Sequence, residues 1–295
     1  MSLSFTAAKP GAVFASLPTA GETRKRILVT GAAGRIGSYF AEHSHQDYDL
    51  RLMVQHEQDA EKIRDFGEVV VGDLADLTRL KTFCRGVDTV VHMAGDPNPS
   101  AVWHELLDAN IVGVYNIYAA AKAEGCRRLI FASSIHAVSG PPADMQVKTS
   151  DPVNPGDLYG VTKCFGEALG RYMAEKEGLS VIAIRIGAFQ PIEAAKSVDS
   201  ISMMDAFVSH RDLNQLITRC IAVENLQFAI FNGLSNNRFK RLDISDAREL
   251  VGYAPEDDLT AVDPKLKDLH LGETVSTHNV RDSGMESGIR EEARV

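Results

Sequence analysis

Tyr159 and Lys163 stand four residues apart in the run Leu-Tyr-Gly-Val-Thr-Lys-Cys-Phe-Gly-Glu at 158–167, and a phenol and an ammonium at that spacing can move a proton. One helical turn sets both on the same face. A free tyrosine loses its proton near pH ~10, so a base working at neutral pH needs roughly three units of help, on the order of 4 kcal/mol, from a neighbouring cation. Lys163 can be that cation. Taken alone the spacing is ambiguous, because a half-buried ring beside a solvated amine gives the same pattern.

Other residues bear on the pair. Gly31, Gly34 and Gly37 follow the β-branched run Ile27 to Thr30 and precede a segment, Ser38 to His45, that reads as a helix. Strand, glycine turn and helix open a dinucleotide-binding unit: the glycines allow a tight turn and close approach to a pyrophosphate, and the helix N-terminus favours its charge. Asp73, in Val-Gly-Asp-Leu after the third strand, can accept hydrogen bonds from an adenine or can be a solvated turn carboxylate. Ala94 and Gly95 end the fourth strand with small side chains, so that a cofactor can lie against the backbone. Ser133 and Ser134 close the fifth, where a hydroxyl can hold a substrate oxygen.

These positions require strands whose carboxyl ends share one edge. Runs at Leu50 to Val54, Glu68 to Val71, Thr89 to His92, Arg128 to Ser133 and Ser180 to Ile186 read as strands, with helices at Leu77 to Cys84, Trp103 to Glu124 and Leu158 to Glu177. The alternation predicts an α/β fold, a Rossmann-like doubly wound parallel sheet with right-handed crossovers. After Gly187 a loop is expected over 188–206, then a helix at Arg211 to Val223, a strand at Phe228 to Asn232 and a helix at Ser245 to Val251. The expected organisation is an N-terminal extension (1–25), a nucleotide-binding domain carrying the chemistry (26–187), a small substrate-binding portion with return elements (188–254) and a loose polar tail (255–295).

Composition narrows the class. The 295 residues are 44% hydrophobic and 24% charged, with a formal net charge of −9, which suits a globular enzyme and argues against nucleic acid or an anionic membrane as partner. Four scattered cysteines, Cys84, Cys126, Cys164 and Cys220, indicate neither a zinc site nor a disulfide framework. No run approaches the ~18 apolar residues of a membrane span, and positive charge follows rather than precedes the N-terminal segment, unlike a secretory signal. A cytoplasmic protein with reduced thiols and no metal is expected.

The stretches at 29–37, 131–136, 158–167, 185–187 and 207–213 together resemble the extended short-chain dehydrogenase/reductases of the NAD-dependent epimerase and dehydratase superfamily, and within it uronate dehydrogenases and similar sugar or sugar-phosphate dehydrogenases. The resemblance runs from about Ile27 to Gly252. It implies oxidation of a cyclic sugar or sugar acid at its anomeric carbon to a lactone, with Ser134, Tyr159, Lys163 and Asn110 as the catalytic set. It places NAD against Gly31, Gly34, Arg35, Ile36 and Gly37, then Asp73, Leu74, Ala94, Gly95, Ile186, Tyr159 and Lys163. Substrate contacts fall on Ser134, His136 and Tyr159. Lys163 is expected to hold the tyrosine's pKa down. A homo-oligomer formed through paired helices at 103–124 and 158–177 is a further implication.

Three positions depart from the pattern. Val54 stands where relatives carry a carboxylate for the adenosine ribose, which leaves NADP open beside NAD. Ile135 replaces an asparagine, and Ser202 aligns with the arginine that binds the uronate carboxylate. Lys196, Arg211 and Arg238 are cations elsewhere in the chain that can compensate. Two other readings remain: a sugar epimerase on the same scaffold, and a nucleotide-sensing protein without turnover, which would be expected to have lost Tyr159 or Lys163.

Overall fold

The computed structural model describes residues 24–142, 145–197 and 200–263; the expected N-terminal extension, apart from its last two residues, and most of the expected tail lie outside them. Seven strands form one parallel sheet: β1 (Arg26–Thr30), β2 (Asp49–Val54), β3 (Glu68–Val71), β4 (Thr89–His92), β5 (Arg128–Ser134), β6 (Ser180–Ile186) and, late in the chain, β9 (Phe228–Gly233). Their order is β3-β2-β1-β4-β5-β6-β9. Strands buried on both faces need apolar residues throughout, and Ser-Val-Ile-Ala-Ile-Arg-Ile in β6 is buried at every position. The order reverses between β1 and β4, the switch point where an open α/β sheet leaves a crevice at its carboxyl edge.

Two cores flank the sheet. On one face α1 (Arg35–Ser44), α6 (His210–Ala222) and α7 (Ser245–Val251) bury Phe40, Leu216, Ile217 and Val251; on the other α2 (Leu77–Cys84), α4 (Gly113–Ala123) and α5 (Leu158–Glu175) bury Leu80, Phe83, Ile117, Tyr118 and Met173. Each such side chain contributes about 1.5–3 kcal/mol by leaving water. All four cysteines are free thiols.

Helix α5 carries the tyrosine and lysine, and its start is fixed by chemistry legible in the chain. Asp157 caps it, accepting the Gly160 N–H at 2.7 Å, a bond that satisfies one of the open donors of the first turn. A Cβ on Gly160 would lie 2.3 Å from the His136 carbonyl oxygen. Glycine therefore lets the helix seat directly on the segment that follows β5. One turn beyond Lys163, the buried Glu167 takes a bidentate ion pair from Arg185 in β6, at 2.9 Å on each oxygen, and the Ser133 hydroxyl at 2.6 Å. Helix and strands are locked in register by that cluster.

Three expectations are corrected. The helix foreseen over 103–124 is divided into α3 (Trp103–Leu106), a π-helical stretch (Leu107–Val112) and α4; the widened turn holds Asn110, buried, at the site end. The loop foreseen over 188–206 instead begins with β7 (Ala188–Gln190), which pairs in parallel with β8 (Phe207–Ser209), and includes two short 3-10 turns. Alternation too brief to register as strand is stabilised by that mutual pairing. The tail foreseen from 255 is ordered at its start: α8 (Leu259–Val262) buries Leu259 and Thr260, and Asp257 accepts from Ser209 and Arg211.

Candidate active site

At the carboxyl edge of β1, β4, β5 and β6 lies a cleft of about 880 Å³, a size that admits a dinucleotide with a small substrate. Its floor is the glycine turn. Gly31 has φ +65°, and a Cβ there would sit 2.8 Å from the Ala94 amide nitrogen; both facts exclude other residues. Gly34 caps α1 without a side-chain hydrogen bond, so the first-turn N–H groups of a ten-residue helix are left for a ligand's phosphates. Residues 34–37 all line the cleft. Arg35 closes that wall by donating to the Phe189 carbonyl at 2.6 Å and to Gln190 at 2.9 Å.

Across the cleft stand Ser134, Tyr159 and Lys163 with His136 and Ile186. The Ser134 hydroxyl accepts the His136 N–H at 3.2 Å and, with Tyr159, lines the same cleft. Lys163 donates to the Ala132 carbonyl at 2.9 Å, and its Nζ is 5.3 Å from the centre of the Tyr159 ring. Burial lowers the lysine's pKa to about 8, with Asp96 pulling the other way. Burial also pushes the Tyr159 phenol up to about 12, the Ser134 hydroxyl opposing. The expectation that Lys163 holds the phenol down is therefore not met in the open cleft. Desolvation sets the direction, with the charges of Asp157 and Asp96 adding to it.

Asn110 stands behind this wall rather than on it. Its amide oxygen accepts the Asp96 N–H at 2.8 Å while its nitrogen donates to the Asp96 carbonyl at 2.9 Å and to Thr162 at 3.2 Å. It thus ties the chain after β4 to α5. Asp73 lies off the cleft lining in an exposed turn, its carboxylate accepting the Ala75 N–H at 2.8 Å with Gln55 3.5 Å away. Leu74 is buried, its carbonyl held by Asn116 at 2.8 Å. Ala94 packs beneath Gly31, whereas Gly95 reaches the lining. Val54 is buried at the end of β2, with Gln55 and His56 exposed after it.

Ile135 and Ser202 both face the cleft. None of the three compensating cations does: Lys196 and Arg238 are exposed away from the lining, and Arg211 is occupied by Glu256 at 3.0 Å and Asp257 at 2.9 Å. Two charged residues that the sequence did not single out, Asp205 and Arg241, line this end instead. Asp157 was also missed, although an Asp at the start of a helix is a readable cap: besides capping α5 it meets the His136 ring Nδ1 at 2.6 Å. Among the described residues no group of three His, Cys, Asp or Glu side chains could hold a metal, and no helix is long and apolar enough to cross a membrane.

Residues 27–189 match the family model described as the NAD dependent epimerase/dehydratase family. The chain is 35% identical to the NAD-dependent glucose-6-phosphate dehydrogenase of Haloferax volcanii, covering 78% of this chain and 93% of that one. It is 34% identical to the L-arabinose 1-dehydrogenase (NAD(P)(+)) of the same organism, covering 80% and 98%. The crystal structure of uronate dehydrogenase from Agrobacterium tumefaciens superposes with a TM-score of 0.73 at 32% identity, covering 83% of this chain and 90% of that one.

Proposed function

The chain belongs to the NAD dependent epimerase/dehydratase family, and from that premise we propose that it is an NAD-dependent sugar dehydrogenase that oxidises the anomeric hydroxyl of a cyclic aldose or sugar acid to the lactone. The observation that carries this reading is the convergence of Ser134, Tyr159 and Lys163 on the wall facing the glycine turn of one cleft. The residues present fit NAD: a positive-φ glycine with no room for a side chain, a helix start without a side-chain cap, and a buried lysine lining the same cleft that would donate to the cofactor's ribose.

NAD supplies the hydride acceptor for the two electrons of the anomeric C–H bond. The chain's own residues handle the proton. Ser134 orients the hydroxyl and Tyr159 accepts its proton as phenolate, a contribution of about 10²–10⁴ in rate for general-base catalysis. Lys163, with its Nζ 5.3 Å from the ring centre, is the cation whose charge would favour the phenolate. Asn110 acts by position, holding the Asp96 segment against α5. In the open cleft the phenol keeps its proton, the form that would return it to a lactone in the reverse direction.

The relatives described above are dehydrogenases by name, which weighs against the epimerase alternative. Purified protein incubated with NAD, then NADP, and a panel of aldoses, uronates and sugar phosphates tests the proposal through absorbance of reduced nicotinamide. Net reduction of NAD by a sugar is expected. No reduction by any member, with a nucleotide copurifying, would favour the epimerase.

A further inference from the structure

The far end of the cleft, beyond Ser134 and His136, is bounded by Ser202, Asp205 and Arg241. Asp205 lies between the 3-10 turn Ser200–Met203 and β8. It is 8% exposed and lines the cleft. Its own backbone N–H donates to the carboxylate and no side chain among the described residues does, so a largely desolvated acceptor with bonding capacity to spare faces the substrate space. Such a group is costly unless something supplies the bond.

Arg241 is the cation nearest in the fold, but it is committed elsewhere. Its backbone N–H donates to the Asp205 carbonyl at 3.1 Å, its carbonyl accepts the Val147 N–H at 2.8 Å, and its guanidinium donates to the carbonyls of Ser139, at 2.9 Å, and Pro141. It thereby ties the segment after β5 to the Asp205 segment. Its charge and that of Asp205 stabilise each other across this wall, opposing the burial of both. The end of the cleft is thus close to neutral overall, with Ser202 adding a hydroxyl and no charge.

We infer that Asp205 is a specificity-determining residue, one that accepts hydrogen bonds from hydroxyl groups of a neutral aldose and disfavours sugars bearing a carboxylate or phosphate at that end. The inference rests on the dehydrogenase reading and extends it to the charge class of the substrate. A carboxylate whose protein donor is its own backbone N–H keeps acceptor positions for the hydroxyls of a sugar. A substrate anion in the same place would put a second negative charge against a buried one, with Arg241 already neutralised.

The test compares kcat/KM with NAD for D-glucose, D-galactose and L-arabinose against D-glucuronate, D-galacturonate and glucose 6-phosphate, in the wild type, Asp205→Asn and Asp205→Ser. Neutral aldoses should exceed their anionic counterparts by at least about tenfold. Each variant should lower kcat/KM for the neutral sugars by about 10- to 100-fold, the effect of losing one or two charge-assisted hydrogen bonds, and should narrow the ratio. The second variant covers the case in which the first melts early. A wild type faster on the anionic sugars, or a ratio that neither folded variant changes, overturns the inference. If no sugar of either class reduces NAD, the dehydrogenase reading itself has failed and this one falls with it.

Discussion

One carboxylate joins two parts of the site: Asp157 caps helix α5 through the Gly160 N–H and meets the Nδ1 of His136 at 2.6 Å. The His136 ring in turn lies edge-on to Tyr159, with centroids 5.3 Å apart. The segment after β5 and the helix bearing Tyr159 and Lys163 are therefore positioned by the same side chain.

Substitutions at Asp157 separate its two roles. Asp157→Ala removes cap and ring contact together and should cost about 0.5–2 kcal/mol of stability along with activity. Asp157→Asn keeps an oxygen for the Gly160 N–H, so its melting temperature should stay near that of the wild type while kcat/KM falls. Equal activity in the wild type and Asp157→Asn would assign the residue to capping alone.

Lys163 should weaken the fold at neutral pH. Its folded-state pKa, about 8, lies below the unfolded value, so between the two the unfolded chain binds more protons and stability rises with pH. Below pH 8 the cost of burying the charge is present in full, on the order of 3 kcal/mol for a displacement of this size. Lys163→Met should be inactive, and more stable than the wild type at pH 7, with the gap closing towards pH 10. Melting curves of both proteins across that range measure it; a gap that does not change with pH would remove the lysine's ionisation as its source.

Gly31→Ala forces a Cβ to within 2.8 Å of the Ala94 nitrogen at a positive φ. The backbone term alone is about 1–2 kcal/mol. Titration calorimetry should find NAD affinity reduced at least tenfold, with the far-ultraviolet spectrum of the folded protein retained. Unchanged affinity would mean that the cofactor does not lie against this turn.

Glu167→Gln leaves Arg185 buried without its counter-charge. Breaking one partner of such a pair costs about 3–5 kcal/mol, to be read from denaturant unfolding. A loss below 1 kcal/mol would show that the cluster does not hold α5 on the sheet.

The sheet and the Ser134, Tyr159 and Lys163 set were legible because each rests on local signals: β-branched runs, glycines at a strand end, and a four-residue spacing on one helix face. The far end of the cleft was not. Asp205 and Arg241 are 36 positions apart and become neighbours through a backbone hydrogen bond between segments with no periodic pattern, so neither stood out beside Lys196, Arg211 and Arg238. Electrostatics misled in another way. Spacing alone suggested that Lys163 lowers the Tyr159 pKa, whereas the depth of burial, invisible in the chain, reverses the sign in the open cleft.

The central claim is that a hydride leaves the anomeric carbon while Tyr159 takes the hydroxyl proton. It is tested most directly with D-glucose, D-galactose and L-arabinose deuterated at C1, each incubated with NAD and either the wild type or Tyr159→Phe, following deuterium by NMR. The account predicts deuterium on the reduced nicotinamide, a lactone or its acid as product, and a rate lower by at least about 100-fold in Tyr159→Phe with NAD binding unchanged. Deuterium retained in the sugar with a changed ring configuration, or full turnover in Tyr159→Phe, would contradict it.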